Sequence, residues 1–225
     1  MEDGRRERKK RQTRKLLVDT AFRLFAEQGY ERTTIAQIAA AADVAMKTFF
    51  NYFPSKEDVV FGNAGSYVEA ARRLIAQREP DESVPDLLIR LYDGEIVNYL
   101  TEGPTAGDVE RMEVYKHMVM TVPAVQAKGL QVLFDIQRGM AEALVEAYPD
   151  ELDPISAAAA VGSMIGAAQA AAMASYERSG PVEQEQLKAA RRGLDLAMKG
   201  LNTLGRGLVR PVKPSAPLPP SSQGA

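Results

Sequence analysis

Proline placement constrains the fold of this chain more than any other feature. Its 13 prolines sit between segments rich in alanine and leucine, and within those segments apolar residues recur at helical spacing. Leu17, Ala21, Leu24 and Phe25 share one face in this way. No stretch shows the apolar–polar alternation of a strand. The sequence therefore predicts an all-α chain. Helices are expected near 7–28, 34–41 and 45–52, with a longer one opening at Ser55. Others are expected near 84–101, 106–120, 124–148, 154–178 and 183–208. Residues 209–225 end the chain in a Pro-rich tail expected to be disordered.

Composition excludes several function classes. With 45% hydrophobic and 26% charged residues, the 225-residue chain is an ordinary globular one. It has no cysteine, hence no disulfide framework, thiolate zinc site or cysteine nucleophile. Its one histidine, His117, excludes a multi-histidine metal site. There is no phosphate loop, nucleophile elbow or Glu-x-x-His spacing, so neither an enzyme nor a cofactor or metal is expected.

Charge is unevenly placed. Residues 1–56 carry 12 Lys/Arg and 7 Asp/Glu, a net of +5; residues 57–225 carry 16 and 23, a net of −7, which together give the chain's −2. A basic head on an acidic body predicts that the head meets a polyanion. The basic run from Arg5 to Lys15 is followed by only Leu16, Leu17 and Val18 before Asp19, too short for a signal peptide. Ile155–Tyr176 is 22 residues without a charge, but ten are alanine. A buried helix of a soluble bundle is expected there rather than a membrane span, and the protein is expected in the cytoplasm.

The informative stretch is residues 8–59. Thr34-Ile35-Ala36-Gln37 has the form of a capping box and opens a short helix. Ala42-Asp43-Val44 makes a tight turn into a second short helix ending near Tyr52. Two such helices behind a longer first one form a helix-turn-helix, whose last helix enters the DNA major groove. The crossing needs small residues, which Ala39 and Ala42 supply. The turn needs a residue that tolerates φ > 0, which Asp43 can do, and Val44 anchors it. Met46, Lys47 and Asn51 are expected outward, with Phe49 and Phe53 packed inward.

The run from Thr33 to Glu57, together with Ala21-Phe22-Arg23-Leu24-Phe25-Ala26-Glu27-Gln28-Gly29-Tyr30, resembles the DNA-binding domain of TetR-family transcriptional regulators. The resemblance spans about fifty residues with register intact. It implies a basic arm and helix-turn-helix DNA-binding domain over 1–56. It also implies a helical effector-binding and dimerisation domain over 57–208. The implied protein is a homodimeric repressor, released from a palindromic operator in double-stranded DNA by a small hydrophobic ligand. By the same resemblance Thr34 and Lys56 would meet phosphate, and Met46 and Lys47 would sit where bases are read. Thr48, Asn51 and Tyr52 would make backbone and nearby base contacts. The arm Arg5–Arg14 would add charge. The sequence departs from the family pattern at Asp43, Ala45, Met46 and Phe50, which shifts the expected readout toward Lys47, Asn51 and apolar contacts such as a thymine methyl.

In the body, Gly162 and Gly166 form a GxxxG step continued by Ala170 and Ala174. Leu187, Ala190, Leu194, Ala197, Leu201 and Leu204 form a stripe on the last helix. A two-fold interface is expected from Gly162, Gly166, Ala170, Leu187, Leu194 and Leu201, since paired recognition helices must stand about 34 Å apart. Methionines cluster late in the chain. Tyr92, Tyr99, Met112, Tyr115, His117, Met118, Phe134, Met164, Gln169 and Met173 are the candidate lining of an apolar effector pocket. Gly62 and Gly65 fall inside the expected fourth helix, where a kink would let the heads move when ligand binds. The competing reading is a constitutive or architectural DNA-binding dimer without a ligand.

Overall fold

A computed structural model describes residues 2–62, 64–102, 108–180 and 183–203. The Pro-rich tail and Leu204 lie outside the described residues, as does the side chain of Tyr99. All regular structure among the described residues is α-helical. The helices are α1 (Glu2–Gln28), α2 (Ile35–Ala41), α3 (Met46–Tyr52), α4 (Lys56–Val60) and α5 (Ala64–Ala76). They continue with α6 (Val84–Glu102), α7 (Val109–Thr121), α8 (Pro123–Ala147), α9 (Pro154–Ser179) and α10 (Glu183–Thr203). The chain forms two compact units, Met1–Met140 and Ala141–Ala225.

The core of the first unit is built around α1. Leu17, Ala21, Phe22 and Phe25 of that helix meet Ile38 and Ala39 of α2, Phe49 of α3, Phe53, and Val59 and Val60 of α4. Burying large side chains of this kind contributes roughly 1.5–3 kcal/mol each. The same cluster takes in Met118, Val122 and Val125, from the corner between α7 and α8. Two ion pairs reinforce the join. Arg111 of α7 reaches Asp19 of α1 at 2.8 Å, and Lys128 of α8 reaches Asp58 of α4 at 2.7 Å. By contacts, then, the three-helix head is continuous with the helices that follow, within a compact unit that runs to Met140.

Ser55 opens a helix as expected, its hydroxyl accepting from the Asp58 amide at 3.3 Å. A single longer helix does not follow. The chain leaves α4 at Phe61 (φ −92, ψ 0), and Gly62 takes φ 61. That left-handed conformation suits glycine and stops the helical ladder. Gly62 therefore makes a joint between two helices, while Gly65 sits within the second.

In the second unit α9 and α10 pack along their lengths. Asp153 caps α9, accepting from the amides of Ile155 at 2.8 Å and Ser156 at 3.0 Å, and Pro154 occupies the first turn, where its missing N–H costs nothing. Ala157, Ala160, Val161, Met164, Ala168 and Ser175 are buried on α9; Ala190, Leu194 and Met198 are buried on α10. The close approach is made by Gly193. A Cβ there would overlap the carbonyl oxygen of Ala167 and come within 2.7 Å of the Ala171 methyl. Gly162 and Gly166, expected at an interface between two chains, take no part in this contact within one chain. Gly166 is exposed, Gly162 is half-buried, and nothing lies within 4 Å of where either side chain would begin. Helix α9, expected as a buried helix of a bundle, is covered only in part. It is long and apolar enough to cross a membrane by length and composition, yet most of its apolar window is uncovered in the single chain.

Candidate nucleic-acid interface

The capping box at the start of α2 forms as the sequence predicts. The Thr34 hydroxyl accepts from the Gln37 amide at 3.2 Å, and the Gln37 side-chain oxygen accepts from the Thr34 amide at 2.8 Å. Gln37 also accepts from the Thr34 hydroxyl and from Gln28. Thr34 thus stands exposed at a helix N-terminus with its backbone order fixed.

The turn is tight for identifiable reasons. Ala39 and Ala42 are buried and leave room for the helix crossing. Asp43 takes φ 53, which its short polar side chain tolerates. Val44 donates its amide to the Ala39 carbonyl at 3.0 Å and packs against the core. α3 then starts without a side-chain cap, because Ala45 has none to offer.

One face of α3 is held and the other is open. Phe49 is fully buried and Phe53 nearly so. Met46, Lys47, Phe50 and Asn51 form an exposed row, with Met46 50% and Phe50 46% exposed. Two of these four are large apolar side chains, left in water on an otherwise well-packed element, which marks a contact surface. Thr48 and Tyr52 are half-buried at its edge. Phe50 shares the face of Met46 because it lies four residues further along the helix.

Lys56 is more committed than expected. Its ammonium donates to the carbonyls of Tyr30 at 2.9 Å and Thr33 at 3.0 Å, and lies 3.9 Å from the Tyr30 ring centroid. Its charge therefore sits beside the N-terminus of α2. The Tyr30 hydroxyl donates to Glu57 at 2.6 Å. Burial, that hydrogen bond and the nearby Glu57 and Glu31 charges push the Tyr30 hydroxyl far above its ordinary value. Burial pushes the Glu57 carboxyl up, but the bonds from Tyr30, its own amide and Ser55, with the Lys56 charge, leave it below its ordinary value.

The basic run is helical from the start of α1. Arg5, Arg6, Arg8, Lys9, Lys10 and Arg11 are exposed, and Leu17 is the first core residue of the helix. Arg14 differs from them. It folds back and is half-buried, donating to the Tyr52 and Gly62 carbonyls, both at 3.1 Å. Its guanidinium lies 4.7 Å from the Phe53 ring centroid. Burial lowers its pKa, with the Tyr52 and Asp58 charges acting the other way.

The candidate pocket residues are scattered. Tyr115 and Met118 join the core of the first unit, Tyr115 edge-on to Phe61 with ring centroids 6.3 Å apart. Tyr92 and Met112 are half-buried on α6 and α7. His117 is exposed beside Thr121, and Phe134 is 64% exposed on α8. Met164 is buried on α9, whereas Gln169 and Met173 of the same helix are exposed. Of the candidate dimer residues, Gly166 and Ala170 are exposed, and Leu187 and Leu201 are half-buried. Leu194 is 0% exposed within its own chain. No cluster of three or more metal-binding side chains exists among the described residues.

Comparison with known proteins bears on the same stretch. The family profile described as bacterial regulatory proteins, tetR family, matches residues 17–61. The chain is 42% identical over 101 residues to the HTH-type transcriptional regulator TcmR of Streptomyces glaucescens, covering 41% of this chain and 45% of that protein. It is 31% identical over 117 residues to the HTH-type transcriptional repressor DhaR of Mycobacterium sp. strain GP1, covering 46% of this chain and 58% of that one. The matches thus span about half the length of these relatives. In fold, the chain is similar to the Thermus thermophilus repressor FadR, solved in complex with lauroyl-CoA. The TM-score is 0.51 at 22% identity, covering 92% of this chain and 98% of that one.

Proposed function

We propose, from the match of its N-terminal stretch to the tetR family of bacterial regulatory proteins, that the chain is a transcriptional regulator of that family. It binds a palindromic operator as a homodimer, represses from it, and is released by a small hydrophobic effector in the cytoplasm. Residues 1–56 serve DNA; residues 57–208 serve dimerisation and the effector.

The observation that carries this reading is α3. Its inner face is locked by Phe49 while Met46, Lys47, Phe50 and Asn51 stand exposed. Lys47 and Asn51 offer hydrogen bonds to base edges, and Met46 and Phe50 offer apolar contact to thymine methyls. Thr34 and the amides opening α2 suit a phosphate, with the Lys56 charge behind them. Thr48 and Tyr52 flank the row.

Homodimerisation is supported by the uncovered face of α9. Ile155, Ala159, Gly166, Ala170 and Met173 are exposed on it, a run of small and apolar side chains that a second α9 could approach closely. Paired recognition helices read the two halves of a palindrome. Effector binding rests on the methionines and tyrosines of the body, and lauroyl-CoA, the ligand of the FadR structure, is a fitting first probe. The exposure of His117, Phe134, Gln169 and Met173 favours a second reading, a constitutive DNA-binding dimer.

The test is selection from random duplex DNA at two salt concentrations. Enrichment of a two-fold symmetric site is expected. Salt-sensitive binding without enrichment would reduce the protein to a backbone binder. Release of the selected site by lauroyl-CoA or another apolar ligand separates the first reading from the second.

A further inference from the structure

Arg14 stands at the end of the basic run, and sequence alone groups it with the cations of the arm. The structure separates it from them. Its two terminal nitrogens are each spent on a backbone carbonyl at 3.1 Å. One carbonyl belongs to Tyr52, the last residue of α3, where helix carbonyls lack intrahelical partners. The other belongs to Gly62, the φ 61 residue at the joint between α4 and α5. A guanidinium is planar and its N–H groups leave in fixed directions, so two carbonyls bound to it are held at a fixed mutual distance. The Phe53 ring, 4.7 Å from the guanidinium carbon, backs the group and limits its swing. Arg14 is carried by α1, three residues before Leu17 of the core. The bridge is therefore anchored on the rigid part of the domain.

We propose that Arg14 is a positioning residue for DNA reading: it ties the end of the recognition helix to the α4–α5 joint, so displacement at the joint is passed to α3. The proposal rests on the reading of α3 as the recognition helix. Without the bridge, Gly62 would absorb a movement of α5 locally, because glycine crosses between backbone regions at little cost. With it, the Tyr52 carbonyl must follow. The partner of this residue is thus the protein's own backbone and not a DNA phosphate.

The experiment uses the full chain and its selected operator, with Arg14→Lys and Arg14→Gln. Lysine keeps the charge but, as a point donor, cannot hold two carbonyls in one plane. Both variants are expected to lose operator affinity by about tenfold, the scale of one lost charge-assisted hydrogen bond. The salt slope and the affinity for unrelated duplex should stay at wild-type values. The proposal is overturned if Arg14→Lys binds as the wild type. It is equally overturned if Arg14→Gln reduces the slope by about 1 and weakens all sequences alike, since that is the mark of a phosphate contact.

Two further measurements protect the test from a folding artefact. Gly62→Ala strains the joint at its positive φ. Its effect on operator affinity should be several-fold smaller in the Arg14→Gln background than alone; additive effects would show that no coupling exists. Hydrogen exchange needs no DNA at all. In Arg14→Gln the amides of Phe53 and Gly62, which donate to Phe49 and Val59, should exchange faster together while the α1 core amides are unchanged. Uniform acceleration would make Arg14 a general stabiliser and sink the idea. Should the wild type bind no DNA, the reading of α3 fails, and exchange still decides whether the bridge exists.

Discussion

Ala45 shows what a single side chain withholds. Its backbone is in the extended region suited to a cap (φ −68, ψ 147), yet it offers no oxygen to the free amides of α3. Ala45→Ser should raise stability by about 1 kcal/mol, read as an increase in the urea midpoint at constant slope. Asp58 gives a prediction in pH. Burial pushes its carboxyl up, but the Lys128 and Ser55 bonds and the Lys128 charge outweigh that and hold it below 3.8, its ordinary value. A carboxyl depressed in the folded state stabilises above its unfolded pKa, and the contribution is lost as pH falls through the folded value. Lys128→Met should therefore lower stability at neutral pH and flatten the acid limb of the profile below about pH 4. Denaturation at pH 7 and pH 3 would show whether the gap closes. Thr34 and its box were legible because both partners lie three residues apart. Arg14 was not, because its acceptors are main-chain carbonyls 38 and 48 residues away, and carbonyls leave no mark in a sequence.

Among elements, the crossing of α9 and α10 depends on the absence of a side chain. Gly193→Ala would drive a methyl into the Ala167 carbonyl and against the Ala171 methyl. Overpacking of this sort costs about 1–3 kcal/mol, and thermal melts should show it. The sequence singled out Gly162 and Gly166, for a contact between two chains, because a GxxxG step is visible in one segment. A close contact shared between one glycine and two alanines on another helix is not. The break at Gly62 was partly legible. Two glycines flagged the region, but only the backbone angle distinguishes the one that ends a helix from the one that sits inside it. The boundaries of α2 and α3 were clear in advance, since a cap, a turn and an inward phenylalanine agree there.

For the whole molecule, the basic head and acidic body are legible from charge alone. The division into units at 140 was not, because it depends on Met118, Val122 and Val125 filling the head's core. Dimerisation through α9 makes its own prediction. Gly166→Arg places a charge on an exposed position with nothing within 4 Å, so the single chain should fold normally. Sedimentation should nevertheless show a monomer, and operator affinity should fall by more than tenfold as the second half-site is lost. A Gly166→Arg dimer of unchanged affinity would move the interface elsewhere.

The exposed face of α3 has a chemical consequence. A thioether and a phenyl ring sense carbon, not hydrogen-bonding pattern. In the major groove that carbon is the 5-methyl of a pyrimidine. Replacing a contacted thymine by uracil should then weaken binding although every hydrogen bond survives. Placing 5-methylcytosine there should restore part of the loss. Through Met46 and Phe50 such a protein would respond to the methylation state of its site as well as to its letters.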